Sequence, residues 1–203
     1  MQKVVFFTLI FFVSRFCYAQ DINEKMLSAF SASYSEEITK DYTKAIESLK
    51  SVYNENSYET NLRLGWLCYL KKDYNESGRY YRQAIKLKPT SVEARLGLIN
   101  PLSAQEKWAE AFLEYQDILK TDPQNSIANY RIALMYYYKK DFPHAESHLA
   151  IVIDHYPFDY DGLLLMGQVK LAMGKLTESK NYYQRALLYN PTNDEVKKII
   201  GKL

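Results

Sequence analysis

The sequence predicts an all-α protein in which helix pairs stack into a solenoid, and three observations carry that expectation. Four of the six prolines, Pro89, Pro123, Pro157 and Pro191, lie 34 residues apart. The same step recurs in large residues, at Tyr81, Tyr115, Leu149 and Tyr183, and in small ones, at Ser77, Ala111, Ala145 and Ser179. Between these marks apolar residues fall at helical spacing, as in Leu64, Trp66, Leu67 and Leu70 and then Tyr81, Ala84, Ile85 and Leu87. A fixed period of this length marks a supersecondary unit that cannot bury its apolar face alone and does so by stacking on its neighbours.

A leading helix pair is expected from about Met26 to Ser57, with Ala45 and Leu49 as its small and large residues. Four regular units follow, over 58–91, 92–125, 126–159 and 160–193. In the first of them KKDYNES supplies the turn between two helices, with Asp73 as N-cap. Ser77 and Ala84 let the pair approach closely, Tyr81 fills the space beside them, and Pro89 ends the second helix because it has no amide hydrogen. Pro101 falls inside a first helix, where it removes the bond to the Gly97 carbonyl and predicts a kink beside Asn100. Pro143, just after Asp141, sits in a first turn, where proline costs little. At the end, Asn193 caps a segment that puts Val196, Ile199, Ile200 and Leu203 on one face, a capping helix over 194–203. No glycine-rich or proline-rich linker interrupts residues 20–203, which are expected to form one domain.

The first 19 residues are set apart. Lys3, the apolar run Val4 to Val13 and the small residues around Cys17 and Ala19 have the layout of a cleaved secretory signal. The run is too short to span a bilayer as a helix. The expected location is therefore exported: periplasmic where there are two membranes, secreted otherwise. Loss of Lys3 and Arg15 balances the 26 basic against the 24 acidic residues, so the remaining chain is neutral and offers no electrostatic footprint for nucleic acid. Loss of Cys17 leaves Cys68 alone, with no disulfide to form, at a core position on a helix face.

Leu64-Gly65, then Ser77, Tyr81 and Pro89, resemble the tetratricopeptide repeat, although Cys68 and Asn61 stand where that family usually has tyrosine and tryptophan. The resemblance implies a right-handed superhelix of about five helix pairs plus a capping helix, with a concave face that binds protein or peptide. It also raises the family's carboxylate clamp. Asn100 and Arg131 suit such a clamp, but Leu62, Leu96 and Ile127 occupy the places where lysines are expected, which argues against it.

Residues at i, i+4 and i+7 of each first helix share a side that faces the concave surface. They are Phe30, Tyr34 and Glu37; Leu62, Trp66 and Tyr69; Leu96, Asn100 and Ser103; Tyr130, Leu134 and Tyr137; Leu164, Gln168 and Leu171. The groove is expected to be aromatic and aliphatic with few charges, with Tyr34, Trp66, Tyr69, Asn100, Tyr130, Arg131, Tyr137 and Gln168 as the partner-binding candidates. Rings bury area at low entropic cost, and tyrosine can also hydrogen-bond a backbone. No catalytic triad, phosphate-cradling loop or redox pair is present, and neither catalysis nor a cofactor is expected. His144 and His148 are four apart, a weak metal candidate read chiefly as two solvated histidines on an outer helix. The triplet Asn75-Glu76-Ser77 matches a glycosylation site, but Ser77 is needed in helix packing. The expected function is an exported, non-catalytic adaptor or scaffold. A glycan-binding module of the envelope is the alternative, since the same rings stack on sugars.

Overall fold

The computed structural model describes residues 24–203; the expected leader at 1–19 lies outside them. The described residues form eleven helices and no strand. The helices pair as α1 (Glu24–Ile38) with α2 (Tyr42–Lys50), α3 (Tyr58–Leu70) with α4 (Tyr74–Leu87) and α5 (Val92–Ala104) with α6 (Trp108–Thr121). Next come α7 (Ser126–Tyr138) with α8 (Phe142–His155) and α9 (Tyr160–Ala172) with α10 (Leu176–Tyr189), closed by α11 (Asp194–Ile200). Each pair packs on the next, so the architecture is the expected solenoid with its cap. No described helix is long and apolar enough to cross a membrane.

Local chemistry repeats with the period. Ser57, Ser91, Asn125, Asp159 and Asn193 each accept a hydrogen bond from the backbone N–H three residues on, which starts α3, α5, α7, α9 and α11. Asp41, Asp73 and Asp141 do the same for α2, α4 and α8, whereas Lys107 and Lys175 hold that place without a side-chain bond. The turn before each of these second helices uses one left-handed residue: Lys40, Lys72, Glu106 and Lys140, with φ between +58° and +67°, and Gly174 at +74°.

Within a pair, the large residue of the second helix sits on the small residue of the first. A Cβ on Gly65 would lie 2.9 Å from the Tyr81 ring, and one on Gly167 would lie 2.8 Å from the Tyr183 ring. Ser77 and Ser179 donate to the carbonyls of Gly65 and Gly167, at 2.7 and 2.8 Å, so neither buried hydroxyl is left unpaired. Cys68 is buried as expected, and that burial pushes its thiol up to about 11. The helix α5 runs through Pro101 to Ala104 as one element, and Gln105 closes on the Pro101 carbonyl through its backbone N–H and its Nε2. Gly97 also has a packing role, since the Tyr81 ring lies against it from the preceding unit.

Candidate partner-binding groove

Two clefts open on the first helices. The first, about 670 Å³, lies across α1, α3, α5 and α7 and brings together Tyr34, Trp66, Asn100 and Arg131 among the expected groove residues. The second, about 960 Å³, lies between α5, α6 and α7. Ile99, Asn100, Tyr115 and Arg131 line both, so the two clefts meet at these four side chains.

The other candidates are placed differently. Tyr69 packs at a tilt against Trp66 and Tyr74, with ring centres 5.7 and 6.0 Å away. Tyr137 packs against Tyr138 and Phe142, and half-buried Tyr130 packs on the core formed by α7 to α10. Gln168 is exposed on α9, away from both clefts.

The expectation of few charges needs correcting. Glu59, Arg63, Glu93 and Arg131 all line the first cleft. Arg63 is buried and fully engaged: it donates to the hydroxyl and carbonyl of Ser33, pairs with Glu37 at 2.5 Å and lies 3.8 Å over the Tyr34 ring. Glu37 also accepts from Trp66 Nε1 at 2.8 Å. Thus Tyr34 and Trp66 are held by one partly buried ion pair, which orders the rings before any partner arrives. Sequence reasoning passed over Arg63, although it stands two periods before Arg131.

Arg131 is different. It is exposed and has no carboxylate partner among the described residues; its nearest aromatic contact is the Tyr130 ring at 6.0 Å. Two tyrosines that line the first cleft with it are buried, Tyr81 at 3 % and Tyr115 at 7 % exposure, and neither hydroxyl has a hydrogen-bond partner among the described residues. Burial pushes both phenols above their ordinary range, with the Glu93 charge adding at Tyr81 and the Arg131 charge opposing at Tyr115. A buried hydroxyl at the wall of an open cleft is a donor available to a ligand.

Of the two histidines expected to be solvated, His144 is exposed and His148 is not. His148 is half buried and donates from Nδ1 to Asn129 Oδ1 at 2.8 Å, because the Asn129 amide already donates to the Pro123 and Asn125 carbonyls. His144 pairs with Asp141, and both imidazoles stack on Tyr136. Among the described residues no group of three or more His, Cys, Asp or Glu side chains is arranged to hold a metal ion.

The tetratricopeptide repeat model matches residues 58–91 and 160–193. A tetratricopeptide repeat protein 21 homolog of Caenorhabditis elegans is 22% identical over 125 residues, which are 62% of this chain and 9% of that protein. The protein ycf37 of Cyanophora paradoxa, uncharacterised, is 28% identical over 94 residues, 44% of this chain and 55% of its own. The chain thus spans about a tenth of the first relative and about half of the second. Among solved structures, a tetratricopeptide repeat protein from Parabacteroides merdae superposes with a TM-score of 0.75 at 16% identity, covering 89% of this chain and 72% of its own. MamA superposes at 0.71 and 19% identity, covering 86% and 96%. YrrB, described as a TPR protein with an unusual peptide-binding site, superposes at 0.68 and 13% identity, covering 89% and 94%. The chain carries tetratricopeptide repeats at 58–91 and 160–193 and folds as the all-α solenoid that these proteins share.

Proposed function

We propose that the protein is an exported, non-catalytic scaffold that holds a segment of a partner protein in its concave face. Export rests on the leader-like first 19 residues. Partner binding rests above all on the buried hydroxyls of Tyr81 and Tyr115, without a hydrogen-bond partner among the described residues, in the lining of an open cleft whose rings are already ordered. Such hydroxyls are costly to leave unpaired, and a peptide backbone supplies carbonyls at the spacing of an extended chain. The peptide-binding site named for YrrB supports the same use of this fold. Among the described residues, groups for bond-making chemistry are sparse in the clefts, whose linings include no histidine or cysteine.

The test is affinity capture from envelope and secreted fractions with the chain from residue 20 onward, beside a Tyr34→Ala/Asn100→Ala/Arg131→Ala variant. These side chains lie outside the buried core, so helix content measured by circular dichroism should be retained. A partner retained by the wild type and lost by the variant is the expected result. Equal retention would move the function away from the concave face, and capture of nothing together with binding of soluble oligosaccharides would replace the partner with a glycan.

A further inference from the structure

The second cleft lies beside one departure from the period. Gly65, Ala133 and Gly167 hold the small position of their first helices, but Ile99 holds it in α5. Ile99 is buried against Tyr115 and fills the crossing that a small residue leaves open for close approach of the pair. The space that opens beside it, between α5, α6 and α7, is walled by Trp108, Phe112, Leu113, Leu134, Met135 and Tyr138. Trp108, Leu113 and Tyr138 are 55%, 59% and 76% exposed, an unusual concentration of apolar surface. Its charges are one-sided: Arg131 and Lys139 line it, no aspartate or glutamate does, and neither cation has an ion-pair partner among the described residues. Lys139 lies 5.2 Å over the Phe112 ring.

Resting on the protein-binding function above, we propose that this cleft selects the partner: it takes a bulky apolar side chain next to an aspartate or glutamate, whose carboxylate sits between the Arg131 guanidinium and the Tyr115 hydroxyl. The apolar walls take the side chain, and the two unpaired cations require an anion to enter with it. Tyr115 is 7% exposed and its hydroxyl has no acceptor among the described residues, so the carboxylate would satisfy a donor that they leave open. Because the cleft is continuous with the first at Asn100 and Arg131, a chain can pass through both without ending there. The carboxylate is therefore that of a side chain. At the other cleft Glu93 has no ion-pair partner among the described residues, whereas Glu59 pairs with Lys88, so Glu93 favours a basic residue further along the same segment.

The chain's only two tryptophans report the two clefts separately, Trp66 on the first and Trp108 on the second. The experiment uses Trp66→Phe and Trp108→Phe proteins and an array of ten-residue peptides capped at both ends, with Phe, Trp or Leu beside Asp or Glu. Peptides containing Trp are followed by fluorescence anisotropy of an attached dye. Saturable change in Trp108 emission is expected with the acidic peptides. Replacing the acid by Asn or Gln, or Arg131 by Gln, should weaken binding about tenfold or more, the range of a charge-assisted hydrogen bond, and Tyr115→Phe by a few-fold. Equal binding of acidic and amide peptides, or binding that requires a free C-terminal carboxylate, overturns the proposal. A response from Trp66 with none from Trp108 overturns the assignment of this cleft while leaving the concave-face function standing. Silence of both overturns the proposal, with the capture experiment deciding the wider function on its own. Self-association of the free chain that buries Trp108, seen by sedimentation, overturns it in favour of a second copy.

Discussion

Gly97→Ala sets two principles against each other, and the structure decides between them. In a helix interior, alanine is about 1 kcal/mol better than glycine, so propensity alone predicts a gain. At residue 97, however, a Cβ would lie 2.2 Å from Tyr81 Cε1, 2.6 Å from Cζ and 2.7 Å from Cδ1. Ordinary carbon contacts are about 3.5–4.0 Å, so the ring would have to move by more than about 1 Å. It has nowhere to go, because Tyr81 is 3% exposed and Gly65 presses the same ring from α3. Overpacking of this kind costs about 1–3 kcal/mol, and the overlap puts this site at the upper end. The net expectation is a loss of about 1–2 kcal/mol once the propensity gain is subtracted.

Gly78→Ala is the control. It lies in α4, where a Cβ crowds the flexible end of Arg82 at 3.1 Å and meets Leu98 Cδ1 at an ordinary 3.8 Å, so the gain of about 0.5–1 kcal/mol should be realised. Urea denaturation followed by circular dichroism should move the two variants in opposite directions from wild type. A double-mutant cycle with Tyr81→Leu then isolates the contact, since removing the ring should abolish the cost of Gly97→Ala. Gly97→Ala at wild-type stability or above, or with the same cost in the Tyr81→Leu background, would refute the wedge between the two units.

The left-handed turn residues should respond to glycine. Lys72→Gly and Lys140→Gly are each expected to stabilise by about 0.5–1 kcal/mol, and Gly174→Ala to destabilise by a similar amount, all by urea midpoint. His148 should make stability depend on pH. Burial, with the His144 charge adding, holds its pKa below the ordinary 6.5 in the fold, so the unfolded chain takes up that proton first. Stability should therefore fall as pH drops from about 6.5 through the folded value, and His148→Gln should flatten that fall between pH 7 and 5.5. An unchanged slope would show that the imidazole titrates alike in both states.

The period was legible because every unit solves the same packing problem with the same few positions. Ala111, Ala145 and Ala84 are each 0% exposed where the spacing places them. The groove was legible only in part. The i, i+4, i+7 stripe finds Tyr34, Trp66 and Asn100, but it cannot say that Tyr69 and Tyr137 spend their rings on neighbouring rings. It also passes over Arg63, Glu59 and Glu93, because a charged residue one step off an apolar stripe looks solvated until the partner helix is known. The second cleft draws its lining from α5, α6 and α7 together, so it appears only when the three helices are in place.

The positions where the sequence departs most from the repeat pattern show why the groove keeps its shape. Asn61, Arg95, Asn129 and Leu163 are 34 apart and stand where the family usually has tryptophan. Asn61 donates to the Glu55 and Ser57 carbonyls and accepts from the Tyr53 hydroxyl. Asn129 makes the equivalent bonds to Pro123, Asn125 and His148. Arg95 bonds the Pro89 carbonyl and pairs with Glu114 and Asp117 on α6. Only Leu163 relies on apolar burial. Three polar side chains, two asparagines and an arginine, thus tie the start of a first helix to the loop before it with directional bonds, where a tryptophan ring would act by filling volume. Directional bonds fix the angle between successive units more narrowly than packing alone, and that angle sets the width of the clefts between the first helices. The polar substitutions therefore act on the groove without touching it: Asn129→Leu should preserve the helix pairs, yet loosen the seating of α7 and with it Arg131.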